Sequence, residues 1–344
     1  MQYTKLPHST LEISKICLGT MTFGEQNDQA QAFQQLDYAL ERGVNFIDTA
    51  EMYPVPPSAK TQGLTEEYIG RWLEKSAKRE KVVLATKVAG PRSVSYIRDK
   101  MALDHRNIHQ AIDDSLRRLK TDYIDLYQLH WPQRQTNTFG LLNYPYPETQ
   151  EEITLIETLE AMNDLVRMGK VRYIGVSNET PWGLMTYLRL AEKHDLPRMV
   201  SIQNPYNLLN RSFEVGLSEI SYHEGVKLLA YSPLAFGALS GKYLHGARPS
   251  GARCSLYERF QRYFTPQGIA ATQAYVDLAH EFDLDPAQMA LAFVNQRPFV
   301  AANIIGATTL EQLKANIDSV EVVLSEELLG KINQIAIQYS NPCP

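Results

Sequence analysis

Short runs of apolar residues alternate along the chain with longer segments in which apolar residues recur every three or four positions. The runs predict eight strands, at 16–18, 45–47, 82–85, 123–129, 172–176, 201–203, 227–230 and 302–305. The longer segments predict eight helices, at 32–42, 66–75, 108–119, 153–168, 184–193, 213–223, 271–281 and 310–320. Eight strands that alternate with eight helices predict an α/β fold, a closed (β/α)8 TIM barrel.

Local signals at the two ends of the chain extend this pattern. Segments 3–6 and 11–14 flank a Pro-His-Ser-Thr turn and predict an N-terminal β-hairpin that closes the bottom of the barrel. Ser325 is a typical helix cap and predicts an extra C-terminal helix from Glu326 to about Ile337. Gly43 and Gly169 are placed to end two barrel helices in a left-handed conformation. We expect residues 1–344 to form a single barrel domain.

Charge and composition exclude several classes of partner. The net charge is -5 and the basic residues are scattered, which argues against a nucleic-acid partner. No apolar run reaches the length of a membrane span, and the first residues do not resemble a secretory leader. Cys17, Cys254 and Cys343 lie far apart, so neither a disulfide framework nor a thiolate metal site is expected. We expect a cytoplasmic protein that has no membrane partner.

Three long connections, at 54–65, 130–152 and 235–265, each follow a predicted strand. This position places them over the C-terminal mouth of the barrel, where TIM-barrel active sites lie. Trp131 and the aromatic stretch 141–147, with Tyr144 and Tyr146, predict an apolar substrate wall that suits a planar or aromatic carbonyl compound. The alternative is a surface loop packed on its own side chains.

Four chemically capable residues lie at or just after the ends of three neighbouring strands. Asp48, Lys87 and His130 end the second, third and fourth predicted strands, and Tyr53 follows Asp48 by five residues. Adjacent strands of a barrel bring such side chains together. Carbonyl reduction needs a proton donor, and Tyr53 can serve if Lys87, held by Asp48, stabilises its anion while His130 orients the carbonyl. Taken singly, a helix cap explains Asp48 and packing explains Tyr53.

The later strand ends carry residues suited to a dinucleotide. Ser177, Asn178 and Gln203 match the carboxamide of nicotinamide, and Tyr231 offers a ring for stacking. Segment 232–242 then contains small residues that let backbone amides approach a pyrophosphate. Its candidate cofactor contacts are Ser232, Pro233, Leu234, Ala235, Gly237, Leu239, Ser240, Gly241 and Lys242. A phosphate site is also predicted where the eighth strand runs into the N-terminus of a helix, at Gly306, Ala307, Thr308 and Thr309. The glycines of segment 18–24 have the wrong spacing for a Rossmann fingerprint.

Segments 43–53, 125–131 and 169–178 resemble the signature motifs of the aldo-keto reductases, and the resemblance covers nearly the whole chain. Segments 50–57, 129–134 and 306–309 are similar to those of the bacterial Tas-like members, which use NADP(H). The resemblance implies a catalytic tetrad in which Tyr53 is the general acid, completed by Asp48, Lys87 and His130.

The same resemblance implies how the cofactor is held. The nicotinamide would contact Ser177, Asn178, Gln203 and Tyr231, and the end of the first strand at Gly19, Thr20 and Met21 would line the site beside Asp48. Segment 234–244 would wrap the pyrophosphate, with Gln312 and Asn316 near the adenine. Thr308 and Thr309 stand where many members carry a Lys or Arg for the 2′-phosphate. Arg253 or Arg259 would supply that charge, so NADPH (NADP+) is expected and NADH is the alternative.

The function expected from these observations is NADPH-dependent reduction of aldehydes or ketones to alcohols, with a small-molecule carbonyl substrate. A homo-oligomer is left open. One alternative is a cofactor-binding, redox-sensing regulatory subunit similar to potassium-channel β subunits. A second alternative is a metallohydrolase built on His130, but Gly19, Thr20 and Met21 at the first strand end offer no further ligand, so no metal is expected there.

Overall fold

The computed structural model describes residues 1–91, 94–148 and 153–344 and shows a closed parallel barrel. A two-stranded antiparallel hairpin precedes it, formed by β1 (Tyr3–Lys5) and β2 (Glu12–Ser14). The barrel strands are β3 (Ile16–Gly19), β4 (Phe46–Asp48), β5 (Val83–Val88), β6 (Ile124–Leu129), β7 (Val171–Ser177), β8 (Met199–Pro205), β9 (Lys227–Tyr231) and β10 (Val300–Ile305). They follow one another around the barrel in chain order, and β10 closes it against β3. The predicted TIM barrel is confirmed.

The N-terminal hairpin closes one end of the barrel. Leu6, Leu11 and Ile13 are buried in a single apolar cluster with inward-facing residues of the strands. These include Cys17, Phe46, Ala85 and Leu126. Apolar side chains would otherwise face water at this end, and their burial is the main force that holds the hairpin in place. The hairpin therefore has the role that the sequence predicts.

The helices surround the barrel, and each predicted helix overlaps an observed one. They are α1 (Gln29–Glu41), α2 (Leu64–Ser76), α3 (His105–Leu119), α4 (Leu155–Arg167), α5 (Pro181–His194), α6 (Phe213–Glu224), α7 (Arg253–Leu256), α8 (Pro266–Glu281), α9 (Pro286–Asn295), α10 (Leu310–Asp318) and α11 (Glu326–Gln338).

Helix ends follow the expected capping chemistry. Asp28 caps α1 by accepting from the backbone N–H of Gln31, and Ser325 caps α11 in the same way through Leu328. Gly43 and Gly169 have φ values of 81° and 74°, the left-handed conformation that glycine adopts without strain. The extra C-terminal helix and both glycine positions are confirmed.

The helix predicted at 271–281 does not occupy the barrel position that follows the seventh barrel strand. It is part of α8, which packs against α9 and α11, whereas α9 packs on β10. The sequence analysis missed α9 because nearly all of its residues are buried, including the run Met289–Asn295. A helix without a polar face shows no 3.6-residue alternation of polar and apolar positions.

The predicted long loop at 235–265 is also partly helical. Two 3₁₀ helices, Ala235–Ser240 and Leu244–Gly246, and the short α7 lie within it. The first of the 3₁₀ helices is interrupted at Phe236 and Gly237, which both have positive φ. The end of the predicted 130–152 loop, at 149–152, falls outside the described residues.

Within the described ranges, no helix is long and apolar enough to cross a bilayer. The three cysteines are free thiols, and all three are buried.

The helix α9 provides a stability test of the fold. Leu291 is 1% exposed, so we expect Leu291→Ala to lower the free energy of unfolding by about 2 to 5 kcal/mol through lost burial and a residual cavity. Ile337→Ala on α11 is the control, because Ile337 is 78% exposed and its truncation should cost less than about 0.5 kcal/mol. Urea unfolding of both variants measures the difference, and equal losses would contradict the placement of α9 in the core.

Candidate active site

The strand register builds a polar layer on top of the apolar layer that the hairpin covers. Alternate residues of a strand point to the same face, so the residues two positions beyond Phe46, Ala85 and Leu126 also face the barrel interior. Those residues are Asp48, Lys87 and Gln128. The parallel pairing sets Lys87 beside Gln128 and Asp48 beside Gly19. The register therefore brings polar side chains of neighbouring strands to one level.

Lys87 lies at the centre of this layer, and its side chain is fully buried. Its Nζ donates to Asp48 Oδ2 at 2.6 Å and to the Thr49 carbonyl at 2.7 Å, and it lies 3.5 Å from the Tyr53 hydroxyl oxygen. Burial alone lowers the pKa of Lys87, but the neighbouring Asp48 and Tyr53 outweigh it and raise the pKa above its ordinary value. The ammonium is thus charged at neutral pH.

Two glutamine side chains hold the other oxygen of Asp48. Gln203 Nε2 donates to Asp48 Oδ1 at 2.9 Å, and Gln128 Nε2 does so at 3.3 Å. Gln203 also donates to Gln128 Oε1 at 3.2 Å. The sequence analysis missed Gln128. Its position two residues after Leu126 and two before His130, on the inward face of β6, was the signal that could have identified it.

Tyr53 and His130 face each other across this layer. Their rings meet edge-on with centroids 5.8 Å apart, and Lys87 Nζ lies 4.9 Å from the Tyr53 ring centroid. Burial raises the pKa of Tyr53 and the Lys87 charge partly offsets this, so the phenol keeps its proton at neutral pH. The pKa of His130 is well below its ordinary value because of burial and the Lys87 charge. The site therefore combines a protonated phenol with a neutral imidazole.

The Nδ1 atom of His130 is buried and has no hydrogen-bond partner among the described residues. A buried nitrogen without a hydrogen-bond partner is uncommon in folded proteins, and a water molecule or a bound ligand can supply the missing hydrogen bond. The hydrogen bonding of the His130 ring is therefore incomplete at Nδ1.

Hydrogen bonds anchor the loop that carries Tyr53, both before and after that residue. Glu51 Oε1 accepts from the Ala89 backbone N–H at 2.7 Å and from Arg98 at 2.9 Å. The side chains of Glu51 and Arg98 are 1% and 3% exposed, which makes this a buried ion pair. Beyond Tyr53, the Val55 N–H donates to the Met21 carbonyl at 2.9 Å. The sequence analysis identified neither Glu51 nor Arg98.

The residues predicted to hold a nicotinamide form one hydrogen-bonded group beside His130. Ser177 Oγ donates to the Gln203 carbonyl at 2.7 Å, and Asn178 Nδ2 donates to the His130 carbonyl at 2.9 Å. Tyr231 donates its hydroxyl proton to Asn178 Oδ1 at 2.7 Å. The structure thus joins this group to the polar layer through Gln203.

The end of β3 contacts the same region. Thr20 Oγ1 donates to the Asp48 carbonyl at 2.8 Å, and Met21 accepts from the Tyr53 loop as described above. Gly19 approaches β10 so closely that an added Cβ would lie 2.8 Å from Ile304 Cγ2 and 3.0 Å from the Ile305 carbonyl oxygen. A side chain at this position would force the strands apart.

The turn between β10 and α10 is open to solvent. Gly306 is exposed, and an added Cβ there would meet no atom within 4 Å. Its carbonyl accepts from Asn316 Nδ2 at 3.1 Å, and Thr309 caps α10. The backbone N–H of Thr308 and its hydroxyl donate to Gln312 Oε1 at 3.0 and 3.1 Å. The turn is therefore hydrogen-bonded to Gln312 and Asn316 of α10, and Ala307 within it is buried.

The segment after β9 presents an irregular backbone. Positive φ values occur at Ser232, Ala235, Gly237 and Gly241. Phe236, between Ala235 and Gly237, also has positive φ, so three consecutive residues are left-handed and the chain turns sharply there. The other predicted residues of this segment lie between them: Pro233 and Leu239 are buried, while Leu234 and Ser240 are partly exposed.

Two cations close to this segment have no carboxylate partner in the described part of the chain. The Lys242 side chain lies against Gly237, and the Arg253 guanidinium lies 5.5 Å from the Phe260 ring centroid. Burial lowers the pKa of both, and the Arg253 charge lowers that of Lys242 further. An anion between them would relieve this repulsion. Arg259 is exposed, and its guanidinium lies 5.8 Å from the centroid of the same Phe260 ring.

Of the three predicted substrate-wall aromatics, the structure brings Trp131 to the site. Trp131 is buried, and its ring centroid lies 4.9 Å from that of His130 and 6.2 Å from that of Phe139. Tyr144 is 44% exposed and makes an edge-on contact with Tyr146 at 5.0 Å. Its position in the substrate pocket stays a prediction.

A model of the aldo/keto reductase family matches residues 15–337, a range that includes the whole polar layer. The chain belongs to the aldo/keto reductase family. It is 58% identical over the full length of both chains to "Protein tas" of Escherichia coli (strain K12). It is 37% identical to the "Uncharacterized oxidoreductase YrpG" of Bacillus subtilis (strain 168), over 97% of this chain and 96% of that one. The chain is therefore a Tas-like oxidoreductase of this family, as the sequence predicts.

A third relative has a different description. The "Probable voltage-gated potassium channel subunit beta" of Arabidopsis thaliana is 30% identical over 97% of this chain and 96% of its own length. The family thus includes proteins whose names refer to a channel rather than to a reaction.

The lowered pKa of His130 predicts a specific dependence of stability on pH. In the unfolded chain the imidazole takes up a proton below its ordinary pKa of 6.5, whereas the folded chain resists protonation. The free energy of unfolding should therefore fall as the pH drops from 6.5 to 5. We expect this decline to be shallower in His130→Gln, by no more than about 1.4 kcal/mol per pH unit. Urea unfolding at several pH values tests this, and parallel curves would contradict it.

Proposed function

We propose that this protein reduces aldehydes or ketones to alcohols with NADPH, and that Tyr53 is the proton donor. One observation carries the proposal: a fully buried Lys87 ammonium, paired with Asp48, lies 3.5 Å from the hydroxyl of Tyr53. A cation in this position favours the phenolate that remains after proton transfer. Membership of the family supports oxidoreductase chemistry at this site.

The residues present fit a dinucleotide. Lys242 and Arg253 have no carboxylate partner among the described residues and would be stabilised by an anion, and the turn at Gly306 leaves open space beside the N-terminus of α10. Ser177, Asn178, Gln203 and Tyr231 would hold the nicotinamide, segment 234–244 the pyrophosphate, and Gln312 and Asn316 the adenine end. When bound, the reduced nicotinamide supplies a hydride to the carbonyl carbon.

The side chains of this protein would handle the proton and the substrate oxygen. His130, neutral at the working pH, donates a hydrogen bond that orients the carbonyl. As negative charge develops on that oxygen, the O–H of Tyr53 transfers its proton to it. Lys87 then stabilises the tyrosinate, and Asp48 keeps the ammonium in place. Trp131 contributes an apolar wall beside His130, which suits planar or aromatic carbonyls.

A regulatory, cofactor-sensing role is the second candidate, and the similarity to the Arabidopsis channel-subunit relative favours it. Steady-state assays with a panel of aromatic aldehydes and quinones separate the two. Turnover supports the reductase. Tight NADPH binding with no turnover on any of these compounds would support the regulatory role instead.

The proton-donor role is tested by Tyr53→Phe. We expect turnover of an aromatic aldehyde to fall by about 10²- to 10⁴-fold, because the variant has no proton to transfer. The Kd for NADPH, measured by fluorescence titration, should stay within about twofold. Tyr222→Phe is the matched control, since Tyr222 on α6 is 83% exposed and the same hydroxyl is lost there. If Tyr53→Phe keeps most of its turnover, another group donates the proton.

The choice of cofactor is tested at Arg253. Loss of a charge-assisted contact to phosphate costs about 1.5 to 3 kcal/mol, so Arg253→Met should raise the Kd for NADPH by about tenfold or more. The Kd for NADH should change little if the contact is to the 2′-phosphate. Arg259→Met is the matched comparison. A loss of selectivity at Arg259 alone would assign the phosphate contact to that residue.

A further inference from the structure

Two histidines and an aspartate converge on the helical layer outside the barrel. His105 and His109 lie one turn apart on α3, and Asp164 faces them from α4. The Nε2 atoms of His105 and His109 are 3.1 and 4.0 Å from Asp164 Oδ2, and the imidazole rings are stacked with centroids 4.0 Å apart. All three offer a ligand atom within 4.8 Å of the other two.

These separations are close to those of a coordinated zinc ion. Zn–N and Zn–O bonds of about 2.0 to 2.1 Å at tetrahedral angles separate neighbouring ligand atoms by about 3.3 Å. The 3.1 Å separation is close to this value, and the 4.0 Å separation exceeds it by about 0.7 Å. Because the ligands lie on two packed helices, little ordering is needed before a metal binds.

The hydrogen bonding of the cluster is incomplete without a ligand. His105 contacts Asp164, but Nε2 of His109 is buried and has no hydrogen-bond partner within residues 1–91, 94–148 and 153–344. Nearby, Lys170 and Asp113 pair with each other, so their charges largely cancel.

We propose that His105, His109 and Asp164 form a Zn²⁺ site that bridges α3 and α4, with water as the fourth ligand. Imidazole and carboxylate are ligands that suit Zn²⁺, and two histidines at i and i+4 of one helix present both nitrogens to the same side. The site lies in the helical layer, apart from Lys87 and Asp48 inside the barrel. It would therefore act on stability rather than on the proton transfer at Tyr53.

Calorimetric titration of the untagged, chelator-treated full chain with ZnCl₂ tests the proposal. We expect one Zn²⁺ per chain and a rise in Tm on binding. The double variant His105→Gln/His109→Gln should lose this binding at least tenfold. The matched control is His223→Gln/His280→Gln, which removes two exposed helical histidines and should bind as the wild type does. Titration with Co²⁺ should give the intense visible absorption of a tetrahedral complex only when His105 and His109 are present.

Two results would overturn the proposal. One is the absence of stoichiometric Zn²⁺ binding by the wild type, and the other is equal binding by the wild type and the double variant, which would place the metal elsewhere. If the double variant fails to fold, Asp164→Asn replaces it. That change removes one carboxylate at a position of intermediate exposure, and unchanged affinity in that variant would equally refute the site.

Discussion

The buried ammonium of Lys87 is the constraint on which the interior of this barrel depends. Removing a charge from water costs several kcal/mol unless a paired charge and hydrogen bonds compensate. Asp48 Oδ2 and the Thr49 carbonyl supply that compensation at 2.6 and 2.7 Å. Both acceptors belong to the end of β4, whereas Lys87 belongs to β5. The charge therefore fixes how the first long connection leaves the barrel and, with it, where Tyr53 can lie.

Asp48 is itself a buried charge, and its hydrogen bonds extend the polar network to other strands of the barrel. Its second oxygen is held by Gln128 and Gln203 from β6 and β8, and the Gln203 carbonyl in turn accepts from Ser177 on β7. A buried polar network is stable only when its members are satisfied, so these positions cannot be changed independently. The residues proposed for proton transfer and those proposed for the nicotinamide are consequently one network. This coupling explains why both functions lie at one level of the barrel.

Much of this arrangement is predictable from the sequence, because it depends on local periodicity. Alternating strands and helices predict the barrel, and polar residues at strand ends predict the positions of Asp48, Lys87 and His130. Two kinds of feature are not predictable in this way. Helix α9 is buried on nearly all sides and has no polar face to mark it. Partners such as Glu51 and Arg98 are 47 residues apart, and only the folded chain brings them together.

That distant pair bears on the most demanding feature of the site, which is that the proposed proton donor lies on a loop. Proton transfer requires a geometry held to within about 0.5 Å, whereas loops are the most mobile parts of most proteins. Here Glu51 is bound to Ala89 and Arg98 before Tyr53, and Val55 is bound to Met21 after it. Ala89 directly follows β5 and Met21 lies just beyond β3, so the loop is fastened to the strand ends on both sides of β4. Tyr53 thus gains the rigidity of the barrel without being part of a strand, because the flanking residues Glu51 and Val55 anchor its loop to the ends of β5 and β3.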